Sequence, residues 1–321
     1  MDLRLMGNVE IRDGARLIPL QRAGERCVLA SLALEPGRRI HVDTLIDRLW
    51  GDDPPTGAGH TIASYIRTVR KTIEDAGGQR EWLRNHRPAT YQLNIDRDLV
   101  DYHRFTALVA QARTRQRDGS PADAVSLYQK ALELRTAEAL GNLTGQWAAN
   151  RRYAIEQEHL DAVCALYEQQ LAIGEYTAVA THATHLVMDV IPTDRMIALA
   201  IHGLARSGEH AAIPGFLTRA TKRMWDTASA RPGPQVLALA RQLVANPSSR
   251  LPPPPTALAG AQPPEPPDED DIEDPGPASP SSADGYEPSG REPVRGGPIT
   301  MTAEHNQQVY QAAGDQYIAG T

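Results

Sequence analysis

Cysteine is almost missing from this chain: Cys27 and Cys164 are the only two in 321 residues. That excludes a disulfide framework and a cysteine-rich zinc site. Both fall within apolar helical patterns and read as buried thiols of a reducing compartment. No run of about 18 apolar residues occurs, and no charged-then-apolar leader opens the chain, so a soluble cytoplasmic protein without a membrane partner is expected. Lysine is scarce too, confined to Lys71, Lys130 and Lys222, which leaves arginine to carry the positive charge. Neither a Gly-x-x-x-x-Gly-Lys phosphate loop nor a Gly-x-Ser-x-Gly nucleophile elbow is present. His182 and His185 stand at i,i+3 helical spacing, but only Asp189 is near enough to join them, and no ligand set is completed. Without a catalytic constellation, a metal set or a cofactor motif, no enzyme and no cofactor are expected.

What is present is distributed unevenly. The chain has 25 prolines, most of them between Pro247 and Pro298, so the folded part should end near Asn246. The net charge of −7 argues at first against a nucleic-acid partner. It misleads, because Asp268 to Asp274, read DEDDIED, concentrates acid in the tail. Residues 247–300 therefore read as a disordered, extended Pro/acid-rich linker. The segment 301–321 differs again: Asn306 to Thr321, NQQVYQAAGDQYIAGT, mixes amides with Val309, Tyr310, Tyr317 and Ile318 and contains no proline. Such a composition suits in-register stacking in a steric zipper.

One stretch organises the N-terminal part, His60 to Ala76. Ile62, Ile66, Val69 and Ile73 recur at steps of four, three and four, the period of a helix with one buried face. At the same steps on another face stand His60, Ser64, Arg67 and Lys71, with Thr68 and Arg70 beside them. A short, polar, basic stripe of this kind is what a helix needs to enter a DNA major groove. Arg70 has an alternative partner in Glu74 at i,i+4, and Tyr65 an alternative place in the core. Ahead of this helix, Leu3, Leu5, Val9 and Ile11 with the Asp13-Gly14 turn signal predict a small sheet. A buried helix from Glu25 to Leu34 follows, then a short extended link at Ile40 and Val42. Asp43 is expected to cap a second helix holding Leu45, Ile46 and Leu49. Behind the helix, Trp82-Leu83-Arg84 and Tyr91-Gln92-Leu93 flank Asn85 to Thr90 as a hairpin.

Sheet, three helices and hairpin make a winged helix-turn-helix. The segments VDTLIDRLWGDDPP, IASYIRTVRKTIEDAG and LRNHRPATYQL closely resemble, in order and spacing, the OmpR-type DNA-binding domain of the Streptomyces antibiotic regulatory protein (SARP) family. The resemblance implies that Ser64, Arg67 and Thr68 face bases. It implies that His60, Thr61, Tyr65, Arg70 and Lys71 grip phosphates, and that Arg87, with Arg84 close by, reaches the minor groove. The roles suit the chemistry, since arginine reads guanine bidentately and hydroxyls or lysine anchor phosphate oxygens. The family's wing usually reads Gly-x-Gly-Tyr, whereas Pro88-Ala89-Thr90-Tyr91 stands here, a stiffer turn.

From Tyr102 onward the pattern is helical. Ala124, Tyr128 and Ala131 share one face, small–large–small, and Gly174-Glu175-Tyr176 and Gly208-Glu209-His210 lie 34 residues apart, the spacing of a tetratricopeptide repeat. VDYHRFTALVAQAR, SLYQKALEL and ARPGPQVLALARQLV resemble the bacterial transcriptional activator domain that follows the winged helix in SARP proteins, although Leu134 to Leu143 lacks the usual tryptophan. The expected fold is thus an α+β winged helix-turn-helix with an N-terminal antiparallel sheet over 1–100. An all-α tetratricopeptide-like domain over 101–246 and a disordered C-terminal tail complete it. The resemblance implies a transcriptional activator that binds double-stranded DNA at direct repeats, as a homodimer or homo-oligomer, and contacts RNA polymerase. Gln307 to Ile318 resembles short amyloid-type signalling motifs, which implies an alternative: an adaptor that polymerises with proteins bearing a matching motif.

Overall fold

The computed structural model describes residues 1–246; the Pro/acid-rich linker and the amide-rich segment from Asn306 lie outside the described residues, and so do the expectations attached to them. Three short strands come first, β1 (Asp2–Arg4), β2 (Glu10–Asp13) and β3 (Arg16–Ile18), antiparallel in that order. Asp13 pairs with Arg16, so the hairpin turns at Gly14-Ala15 where the Asp-Gly signal placed it. Helix α1 (Ala23–Ala33) begins where the Glu25 carboxylate reaches back to the Arg22 N–H at 3.0 Å. Strand β4 (Arg39–His41) leads into α2 (Val42–Trp50). The cap of α2 is His41 rather than Asp43. Because the helix starts two residues earlier than a cap at Asp43 would place it, His41 Nδ1 accepts the Asp43 N–H at 3.3 Å.

Helix α3 (Ala58–Asp75) buries Ile62, Ile66, Val69 and Ile73 to 2% exposure or less, the stripe its periodicity marks out. It packs on α1 and α2. Strands β5 (Leu83–His86) and β6 (Thr90–Leu93) form the expected hairpin, and β6 also pairs with β4, giving the sheet order β4-β6-β5. The link at Ile40 is therefore a strand held by Tyr91.

All regular structure from Asp101 to Ala245 is helical: α4 (Asp101–Arg117), α5 (Pro121–Leu132), α6 (Gln146–Ile173), α7 (Tyr176–Asp189), α8 (Asp194–Arg206), α9 (Ile213–Ala228) and α10 (Pro234–Ala245). The 34-residue spacing is a spacing of helix ends. Gly174 (φ +90°) and Gly208 (φ +88°) close α6 and α8 in the left-handed conformation. In each case the next N–H turns back five residues, Glu175 to Gln170 O at 2.9 Å and Glu209 to Leu204 O at 2.8 Å. Between α7 and α8 the backbones nearly touch, since a Cβ on Gly203 would stand 2.6 Å from Ala180 N. Tyr128 is fully buried between Ala124 and Ala131, as the small–large–small face requires.

The two parts are stitched together by backbone. Asp101 Oδ1 and Oδ2 accept the N–H groups of Leu5 (2.7 Å) and Met6 (3.0 Å). The loop between α5 and α6 returns the contact, Thr136 N–H to Met6 O at 2.9 Å and Leu140 N–H to Leu5 O at 3.0 Å. Asn142 bonds both ways with Val9, receiving at 2.8 Å and donating at 3.2 Å. Arg152 holds this loop from α6 through the carbonyls of Ala139, Leu140 and Leu143. The stretch that departs from the family pattern, Leu134 to Leu143, is thus the strap between the domains.

Candidate nucleic-acid interface

Because the apolar stripe of α3 fixes its rotation, the opposite face must be solvent-exposed. His60, Arg67 and Lys71 are exposed there, with Thr61, Ser64 and Thr68 half-buried alongside. Thr68 Oγ1 donates to Ser64 O at 3.4 Å, a helix-internal bond that leaves its lone pairs outward. Among the described residues Arg67 and Lys71 have no carboxylate within 4.0 Å, so both charges face solvent uncompensated. Helix α3 opens after Pro54, Pro55 and Gly57, which carry no acid into its first turn. The acids come at the far end, where Glu74 pairs with Arg80 at 3.6 Å.

Two of the expected contact residues have structural partners. The Arg70 guanidinium, drawn toward the sheet, donates through Nε and Nη2 to the Leu83 carbonyl at 3.1 and 2.9 Å. Burial, with Arg80 nearby, pushes its pKa down from the usual arginine value. Its partner is therefore the first residue of β5, not Glu74. Tyr65 lies half-buried over the start of α1, where a Cβ on Gly24 would collide with its ring.

The wing stands beside this face. Arg84 and Arg87 are both exposed; Arg84 Nε donates to Glu81 O at 3.2 Å. The turn holds a cis Arg87–Pro88 bond and Ala89 at φ +39°, and the Ala89 carbonyl accepts the Val42 N–H at 2.9 Å. The two glycines usual in the wing are thus replaced by a turn tied to the start of α2. His86 Nε2 and Gln92 Oε1, 2.8 Å apart across the hairpin, and Gln92 Nε2 donating to Gly37 O, brace the strands further. Sequence reasoning missed these braces, Arg70, His86 and Gln92, because their partners are backbone carbonyls or cross-strand amides with no local signature.

Elsewhere, the described residues include no group of three or more His, Cys, Asp or Glu placed to hold a metal, and His182 and His185 are exposed on α7. Cys27 and Cys164 are buried, and burial pushes both thiols up to about 12, away from reactive thiolates. No helix among the described residues is long and apolar enough to cross a membrane.

A basic helix held on a three-helix core, with a braced β-hairpin beside it, defines the winged helix-turn-helix class. Comparison with known proteins agrees. Residues 18–93 match the family described as transcriptional regulatory protein, C terminal, and residues 100–244 match the bacterial transcriptional activator domain. The regulatory protein AfsR of Streptomyces griseus is 25% identical over 246 residues, covering 75% of this chain and 24% of its own length. The transcriptional regulator RedD of Streptomyces coelicolor is 28% identical over 220 residues, 66% of this chain and 61% of that protein. The structure of Mycobacterium tuberculosis EmbR in complex with a low affinity phosphopeptide superposes with a TM-score of 0.71 at 25% identity, over 76% of this chain and 65% of the other. The chain belongs to the SARP family of regulators, which join an OmpR-type winged helix to a bacterial transcriptional activator domain. It spans less than two thirds of the length of AfsR and RedD.

Proposed function

We propose that this chain is a sequence-specific DNA-binding transcriptional regulator, an activator that binds direct repeats near promoters. In this reading α3 enters the major groove, with Arg67, Ser64 and Thr68 toward bases and His60, Thr61 and Lys71 on phosphates. Arg87 and Arg84 carry the wing toward the minor groove, and Arg70 and Tyr65 hold the helix in place from behind. The helical hairpins hold subunits together on adjacent repeats and contact RNA polymerase, a use that solenoid surfaces suit. The observation that carries the reading is the uncompensated, exposed Arg67–Lys71 face on a helix whose other side is locked into the core.

The test is a mobility-shift series on fragments recovered by genomic footprinting. Arg67→Ala is expected to relax base preference and to weaken specific binding by about 1–3 kcal/mol, whereas Lys71→Ala weakens all sequences alike and flattens the salt slope. Unchanged affinity and preference in Arg67→Ala removes α3 from the groove.

A further inference from the structure

Where α1 ends, the linker to α4 passes and α6 crosses, an open cleft of about 390 Å³ lies between the winged domain and the helical hairpins. It falls within the size range of small-molecule sites. Guanidinium groups from three separate segments line it: Arg38 beyond α1, Arg97 in the linker, and Arg151 on α6. Glu35 is the carboxylate of the lining, and it is already engaged by Arg38 at 2.5 Å and by Arg48 at 2.6 Å. Among the described residues, neither Arg97 nor Arg151 has a carboxylate within 4.0 Å. Arg151 meets the Tyr102 hydroxyl, which donates to Glu158 at 3.1 Å; Glu158, outside the lining, also attracts Arg151 electrostatically without an ion pair within 4.0 Å. Leu34 and Pro36 supply an apolar wall.

Cations brought together from distant parts of a chain repel one another, and an anion between them removes that cost. Arginine forks fit the paired oxygens of a phosphate better than any other common ligand group. We propose that this cleft binds a small phosphate monoester, its phosphate between Arg97 and Arg151 and its organic part against Leu34 and Pro36. None of these residues lies on α3 or the wing, so the site is separate from the DNA-binding face. Its lining comes from both domains, and an occupant therefore braces one against the other.

The full-length protein is titrated with 4-nitrophenyl phosphate and, separately, with citrate, followed by calorimetry and by NMR of the histidine side chains. His103, which lines the cleft, reports on it, and His60 on α3 reports on the DNA face. The expected result is a saturable His103 shift with the phosphate ester and none at His60. Binding should weaken at least about tenfold in Arg97→Gln and in Arg151→Gln and stay unchanged in Lys71→Ala. If either arginine variant fails to fold, the His103 response of the unaltered protein still decides. No saturable His103 shift at millimolar ester, a response confined to His60, or citrate binding as tightly as the ester each overturns the proposal. The measurement does not depend on whether α3 meets DNA.

Discussion

Arg70 and Arg67 sit one turn apart on the same helix and do opposite jobs. Arg67 projects into solvent, while Arg70 turns back to give two hydrogen bonds to the Leu83 carbonyl. Replacing Arg70 by Ala removes a charged donor from a half-buried acceptor and is expected to cost about 1–3 kcal/mol of stability. DNA affinity should fall with it, because the base of the wing loses its tie to α3, but base preference should not change. Arg70→Lys restores only part of the loss, since an ammonium cannot reproduce the planar fork. Thermal melts alongside mobility shifts on two unrelated fragments check this; altered base preference in Arg70→Ala would place the guanidinium on DNA instead. The contrast also marks what a sequence reveals at this scale. Ile62, Ile66, Val69 and Ile73 were legible because a buried stripe repeats within the helix that carries it. The partner of Arg70 was not, because a main-chain carbonyl 13 residues on leaves no trace in residue type.

At the level of elements, the glycine stops of helices are where sequence and structure agree best. Gly174 and Gly208 each stop a helix with the same five-residue return bond, a local device that glycine announces by itself. Helix packing is read less directly. Gly203 sits in the interior of α8, where propensity alone would favour alanine. Its reason lies on α7: a Cβ would stand 2.6 Å from Ala180 N and 2.9 Å from its Cα, and backbone cannot move aside as a side chain can. Gly203→Ala is therefore expected to destabilise by about 1–3 kcal/mol through overpacking, despite its gain in helix propensity. Urea unfolding of the two proteins settles the sign; a stabilised variant would mean that α7 and α8 lie further apart. The strap from Leu134 to Leu143 was the least legible element. It has no period, and its bonds go to Leu5, Met6 and Val9 at the other end of the chain.

For the molecule as a whole, the junction between the domains contains a titrating group opposed by another in the helical core. Asp101 is buried, and burial pushes its pKa up to about 6, although the N–H groups of Leu5, Met6 and Tyr102 pull it down. A raised carboxylate means that the folded protein keeps a proton the unfolded chain has released, so this group favours the fold below about pH 4 and the gain is lost as pH rises through 6. His202 on α8 is 1% exposed, and burial, with Arg206 nearby, lowers its pKa to about 4. Its contribution has the opposite sign: present above about 6.5, lost as pH falls toward 4. Each slope is about 1.4 kcal/mol per pH unit, so between pH 6 and 4 the two nearly cancel. Removing either one should expose the other. Relative to the unaltered protein, Asp101→Asn should lose stability on going from pH 6.5 to 5, and His202→Gln should gain it, each by roughly 1–2 kcal/mol. Asp101→Asn should also be weaker at every pH, because an amide nitrogen cannot accept the Leu5 or Met6 N–H. Chemical denaturation at the two pH values gives four differences, and parallel pH profiles in all three proteins would show that neither group titrates in this range. Opposite slopes would identify Asp101 as a group whose protonation favours the fold by relieving the cost of burying its charge, against the pull of the Leu5, Met6 and Tyr102 N–H groups, which favour the carboxylate.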